Sequence, residues 1–455
     1  MELEAIGRRL GEIYGRGSWI LVSEAAAGLG GAVDLLRSWG ADRILVIAGA
    51  RGVGEVPEDI EIFYTGSRGE SIMEGLRAFD RSLLSAEVVE AVERFDPDRS
   101  ARVLAPIFGA EDAFEGRRVY GRRRPEWRAL EDKTSIDAVF AASGVDVAPH
   151  GVVPVSQAPE AATTLATEMG TVWVADNTRG WHGGAEYTRW VPDRAAAAEA
   201  ERWFAERAEQ VRVMPFLDGL PCSIHGYVTP DHVAAFRPVE LLIARVQDPP
   251  SFRYLGTSTT WDPPEMLREQ MREVARRVGR HLRASVGYLG PFSIDGVATE
   301  GGFKPTELNP RLSAGLGIQA RAIEGLQLGW MTRALYEGDL TVDGEWLESI
   351  VVEGADRVRV VRNAMSFREP RHADSVDVVL DRGEVRRAEA DRHGEISIGD
   401  ASGGSFALLS LEQEHIPVGP SFASAAVSAA RLAADTWDLD LPPLQPAPDL
   451  STRGQ

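Results

Sequence analysis

The chain has 455 residues, more than one ordinary core accommodates, so two or three domains are expected. With 44% hydrophobic and 26% charged residues it reads as globular, and no apolar run reaches the roughly 18 residues that a membrane span needs. A net charge of −20 would repel a phosphate backbone, which argues against nucleic acid as a general partner and favours a cationic or neutral substrate.

The first residues, MELEAIGRRLGEIYGRG, form a charged amphipathic stretch without the apolar core of a signal peptide. Cys222 is the one cysteine, which rules out an internal disulfide and a cysteine-clustered zinc site. A cytoplasmic protein is expected. From residue 19 onward apolar runs alternate with helical patterns: WILVS (19–23), RILVIAG (43–49), IEIFYTG (60–66) and RVLAPIFG (102–109). Runs of this kind separated by helices predict a parallel sheet with crossovers. The arginine-rich stretch RRVYGRRRPEWRALEDK (117–133) interrupts them and reads as a boundary, so a first domain is expected over 1–128.

A longer α/β region follows over 129–345, with strands at TVWVA (171–175), VRVMPF (211–216) and FSIDGV (292–297). Leu267, Met271, Val274, Val278 and Leu282 share one face of a helix predicted from Pro264 to Ser285. Residues 346–455 contain the short apolar runs SIVVEG, SVDVVL and SFALLS, read as strands, and the alanine-rich helix ASAAVSAARLAADTW. They form a smaller C-terminal α+β domain, and LPPLQPAPDLSTRGQ is read as a frayed tail.

The chemistry concentrates in FSIDGVATEGGFKPTELNPR (292–311). Two strands flank a turn at Gly301-Gly302, a hairpin signal. Strand alternation puts Ser293 with Asp295 on one face, and Glu307 with Asn309 on one face of the partner. A three-residue loop of Glu300, Gly301 and Gly302 would set Asp295 directly across from Glu307. Two carboxylates that close, with Asn309 beside them, repel unless a cation sits between them. An all-oxygen set with room for water and phosphate suits Mg²⁺.

ELNPR, with SIDG upstream, resembles the E-x-N-P-R metal motif of the ATP-grasp superfamily, ligases that activate a carboxylate as an acyl phosphate. The resemblance spans 130–340. EDKTSIDAVFAASGVDVAPHGVV (131–153) is similar to the stretch that carries the family's first ATP-contacting lysine, which implies Lys133. NTRGWHGGAEYTRWV (177–191) is similar to the phosphate loop, which implies Arg179, Gly180, His182, Gly183 and Gly184. VMPFLDGLPCSIHGYV (213–228) is similar to the adenine-hinge strand, which implies Met214 and Phe216. ATP and Mg²⁺ are the implied cofactors, bound by Asp295, Glu307 and Asn309, with Arg311 on the transferred phosphoryl group through its fixed fork.

The resemblance thus implies a Rossmann-like domain (1–128), an ATP-grasp domain (129–345, divided near 220 into a lid-bearing part and a metal-site sheet) and the C-terminal domain. The chain departs from the family after TVWVA, where a second lysine is usual and Ala175, Asp176 and Asn177 stand instead; Arg179 and Lys304 are the candidates to replace it. Met214 stands where an acidic residue is usual. Among these ligases the chain is similar to peptide ligases of the pheganomycin type, in its long N-terminal segment and separate C-terminal region. That implies a small-molecule amino acid and a peptide acceptor as substrates; a homodimer is left open. Glu240, Arg245 and His225 are candidate substrate residues. VIAGARGVG (46–54) resembles the glycine turn of short-chain dehydrogenases, yet Ala129 and Glu300 stand four residues before the two lysines, so no Tyr-x-x-x-Lys pair exists.

Overall fold

The computed structural model describes residues 3–69, 71–105, 113–180, 182–183 and 185–448. Strands β1 (Trp19–Ala25), β2 (Ile44–Ala50), β3 (Glu61–Tyr64) and β4 (Arg102–Leu104) form the expected parallel sheet, in the order β3-β2-β1-β4. β2 is buried along its whole length, as an apolar run covered on both faces must be. Residues 106–109 of the fourth run lie outside the described residues.

The arginine-rich boundary is not a solvated linker. Arg117 is fully buried and pairs with Asp96 at 2.7 Å. Arg123 pairs with Glu131 at 2.6 Å, and its Nη1 also donates to the Pro310 carbonyl at 2.9 Å. The segment therefore ties the first domain to the end of the metal-motif strand.

Beyond it, β5 (Gly151–Pro154), β6 (Thr171–Ala175), β7 (Thr188–Val191) and β8 (Gln210–Pro215) form a small antiparallel sheet in the order β5-β8-β6-β7. The larger sheet takes in β9 (Leu220–Val228), β10 (Val239–Gln247), β11 (Pro250–Ser258), β12 (Gly290–Thr299) and β13 (Gly302–Asn309). It continues through β14 (Val361–Phe367), β15 (Asp374–Asp381), β16 (Glu384–Arg387), β17 (Gly394–Ala401) and β18 (Gly404–Leu411). The order is β13-β12-β9-β10-β11-β14-β18-β17-β15-β16. β14 pairs with β11, so the sheet crosses position 345 without a break.

One face of this sheet rests on the helix Glu265–Val286. Met271, Val278 and Leu282 are fully buried there against Ile224, Phe292, Ile294 and Leu308. Burying each such side chain is worth about 1.5–3 kcal/mol, which fixes which faces of β12 and β13 point away from the core. SIVVEG corrects the strand expectation: it lies in the helix Gly344–Arg357. Leu347, Val351 and Ala355, at helical spacing, are buried, and the Asp343 side chain accepts the Trp346 N–H. The C-terminal residues correct another expectation. Leu444–Gln445 form β19, which pairs with β10, and Leu444 is buried; residues 449–455 lie outside the described residues.

Candidate active site

Asp295 does face Glu307, by a different route from the one expected. The turn is a two-residue Glu300-Gly301 connection, Thr299 pairing with Gly302, and a β-bulge at Thr306 restores the register so that Asp295 pairs with Glu307 and Ser293 with Asn309. Gly302 takes φ +94, which a side chain would strain. Phe292, Ile294 and Leu308 point to the helix below, leaving Ser293, Asp295, Glu307 and Asn309 on the open face.

These carboxylates are tightly held. Ser223 Oγ donates to Asp295 Oδ1 at 2.6 Å, and Asn309 Nδ2 donates to Oδ2 at 3.0 Å. Lys133, buried, forms an ion pair with Glu307. Arg311 Nη2 donates to Asn309 Oδ1 at 3.2 Å, and its Nε lies 3.6 Å from Glu131. Burial, with the Glu307 charge beside it, pushes the Asp295 carboxyl up to about 6. Burial alone would raise Glu307 too, but the Lys133 charge and hydrogen bond hold it below the ordinary range. The donor set fits a hard divalent cation: two carboxylates, an amide oxygen and the nearby Ser293 hydroxyl, buried without a hydrogen-bond partner among the described residues. The raised Asp295 carboxyl reflects its burial first and the Glu307 charge second, which the Lys133 ammonium and the Arg311 guanidinium offset only in part.

This cluster forms one wall of a cleft of about 410 Å³ between the small sheet and the larger one. Lys133, Met214, Phe216, His225, Arg245 and Arg311 all line it. The other residues named from the sequence are elsewhere. Arg179 is turned outward, its Nη1 donating to the Glu206 carbonyl at 2.6 Å. Lys304 pairs with Asp146 at 2.6 Å, so neither candidate for the second cation enters the cleft. His182 is buried, faces the Ala175 and Asp176 carbonyls at 3.2 and 3.1 Å, and packs on Tyr187. Gly180 (φ +123) and Gly183 lie in the β6–β7 connection; Gly184 lies outside the described residues.

Glu240 corrects its substrate assignment. It is buried on the opposite face of β10, where it accepts the Ser421 hydroxyl and the Phe422 N–H (2.8 Å) at the start of the helix Ala423–Trp437. Its alternation partners Leu242, Ala244 and Val246 pack on that helix, whereas Leu241, Ile243 and Arg245 face the cleft. His225 is fully buried, and burial pushes its imidazole down to about 3, so it is neutral.

The sequence reading missed Arg212 and Ser223. Arg212 is fully buried in the cleft wall, opposite Val174 on β6, and Asp137 holds it through two bonds of 2.7 and 2.8 Å. Its Nη1 reaches Met214 Sδ at 3.0 Å. The signal was present in VRVM, since alternation puts Arg212 on the face of Met214, which had been assigned to the cleft.

No family model matches the chain, and no curated protein matches its sequence. Solved structures do match its fold. N5-carboxyaminoimidazole ribonucleotide synthetase, in its ADP complex, superposes with a TM-score of 0.52 at 14% identity, over 92% of this chain and 97% of that one. Biotin carboxylase from Campylobacter jejuni, as a beta-gamma-ATP complex, gives 0.53 at 11% identity, over 95% and 93%. Phosphoribosylamine–glycine ligase from Thermotoga maritima gives 0.50 at 13% identity, over 94% and 98%. At such identities the likeness concerns architecture, and it extends over nearly the whole length of each chain: this protein has the ATP-grasp fold, a mixed α/β structure of several sheets.

Proposed function

We propose that the protein is an ATP-dependent carboxylate–amine ligase. The observation that carries this reading is the convergence of Asp295, Glu307 and Asn309 with Lys133, Arg212 and Arg311 in one cleft between two antiparallel sheets. Oxygen ligands on one wall and cations around them are what a nucleoside triphosphate with its divalent metal requires. The matched structures support it: one is an ADP complex, another a beta-gamma-ATP complex, and a third is a phosphoribosylamine–glycine ligase.

In this reading a carboxylate oxygen attacks the γ-phosphorus of ATP, giving an acyl phosphate and ADP. An amine then attacks the acyl carbon, phosphate leaves with the electron pair of the C–O bond, and the nitrogen sheds a proton to give the amide. A divalent cation bound there would supply neutralisation of phosphate charge. The chain's own residues do the positioning. Asp295, Glu307 and Asn309 would hold the metal. Lys133, paired with Glu307 in the cleft wall, places an ammonium beside the site. Arg212, anchored by Asp137, presents a fixed positive edge beside Met214. Arg311 offers its planar fork to the transferred phosphoryl group.

The finer reading is a peptide ligase that joins an unusual amino acid to the N-terminal amine of a peptide. The test is incubation with ATP, Mg²⁺ and pooled amino acids and peptides, following ADP release and new amide masses. ADP release that requires both an acid and an amine supports the ligase. ATP binding without turnover in any pool would overturn it, and amides formed only between single amino acids would overturn the peptide acceptor.

A further inference from the structure

The cleft has a second end. Arg245 projects into it from β10, next to Leu241 and Ile243, and its guanidinium lies 5.9 Å from the centre of the Phe216 ring. Phe216 stacks with Phe252 at 6.2 Å, and Trp190 backs both rings at 5.5 and 6.5 Å. Arg245 is half-buried, its Nε is sealed from solvent without an acceptor, and it makes no ion pair among the described residues. The other arginines of this cleft are tied to carboxylates: Arg212 to Asp137 and Arg311 to Glu131. A guanidinium carries five donors, and one that lines a cleft beside an aromatic ring without a carboxylate partner among the described residues offers those donors to an anion.

The end of the chain walls this same region. β19 pairs with β10 at the position of Arg245 itself (Arg245 with Gln445, Val246 with Leu444). Leu444 is buried in the core beneath the helix Ala423–Trp437, Arg431 donates to its carbonyl at 2.7 Å, and Gln247 bonds Gln445 at 2.9 Å. Ala447 and Pro448 then line the cleft. Leu444 and Gln445 are thus pinned by backbone pairing and by the burial of Leu444, and they set where Ala447 and Pro448 meet the cleft.

We propose that Arg245, Phe216 and Phe252 form a subsite for the carboxylate of a ligand with a flat apolar part, and that Ala447 and Pro448 limit how long that ligand can be. The carboxylate bound here is held and not activated, because the metal-binding oxygens stand on β12 and β13. The subsite so names an acid-bearing substrate for the cleft, and it rests on the ligand-binding role assigned to that cleft above.

Calorimetric titration of the full chain with phenylpropionate and with its uncharged amide tests the charge. Hydrogen bonds to charged groups are worth about 1.5–3 kcal/mol, so the acid should bind roughly tenfold or more tighter than the amide. Arg245→Gln should erase that preference, and Arg245→Lys, a point charge without the fork, should keep part of it; melting curves check that both fold. A chain ending at Gln445 keeps the strand pairing and should gain affinity for phenylhexanoate relative to phenylpropionate. The proposal is overturned if the full chain does not prefer the acid, if the preference survives Arg245→Gln, or if shortening the chain leaves the length preference unchanged. Because binding is read without turnover, these results separate from the ligase test. An acid bound through Arg245 without ADP release sinks only the ligase, and ADP release with no role for Arg245 sinks only the subsite.

Discussion

Glu307 and Lys133 hold each other in the cleft, and in the proposed ligase each takes a different partner once nucleotide binds. Glu307→Gln keeps the size of the side chain and an acceptor for Lys133, so the fold should survive. Turnover should fall by at least about a hundredfold, because the loss removes charge at a metal ligand where phosphoryl transfer depends on neutralisation. Steady-state ADP release, with circular dichroism as the fold check, measures it; near wild-type turnover would contradict the metal assignment. His225 gives a pH signature. Its folded pKa of about 3 lies below the ordinary 6.5, so the neutral imidazole stabilises the fold above about pH 6.5 and that stability is lost as pH falls toward 3. At pH 5 the unfolded chain is favoured by about 2 kcal/mol through this group alone. Urea unfolding at pH 7 and 5 should show a smaller pH loss for His225→Asn than for the wild type.

At the scale of elements, Glu240 tells a supporting carboxylate from a functional one. It caps the helix Ala423–Trp437 from inside the core, so Glu240→Ala should cost about 1–3 kcal/mol in urea unfolding by leaving the Phe422 N–H without an acceptor. KM values for the substrates should not move. Alternation separates Glu240 from Arg245, because five positions along one strand put them on opposite faces; what the sequence lacked was the helix that covers the Glu240 face. The facing pair Asp295 and Glu307 was legible, since strand period and a glycine turn determine it almost alone. The bulge at Thr306 was not, because a longer loop and a shorter loop with a bulge predict the same pair. Asp343, a capping residue four positions before Leu347, marked the helix that holds SIVVEG, but the run of apolar residues masked it. Strand alternation already sets Lys304, three positions from Glu307, on the other face; Arg179 was credible from charge and position in the chain, and only the backbone path shows that it points away.

For the whole molecule, the parallel sheet of the first domain was readable from the lengths and spacing of apolar runs, and the strands at 171–175, 211–216 and 292–297 were located, but not the two antiparallel sheets that they join. The continuity of the larger sheet was not readable, because it depends on β14 pairing with β11 across about a hundred residues, a pairing no local pattern encodes. Removing residues 346–455 would therefore strip strands from a sheet and the alanine-rich helix from its core, rather than release a module. Such a chain should be insoluble or lack a cooperative melting transition; a soluble fragment with a sharp transition would show the C-terminal region to be an independent unit. No helix among the described residues is long and apolar enough to cross a membrane.

The protein has only two lysines, and both are engaged, Lys133 by Glu307 inside the cleft and Lys304 by Asp146 near the surface. Acylating reagents therefore find almost nothing to modify except the chain's first amine, the accessible Lys304 and the sheltered Lys133. Modification of that last ammonium, read by peptide mass with and without ATP, becomes a footprint of occupancy in the cleft: slow in the resting protein, slower again once a phosphate lies over it.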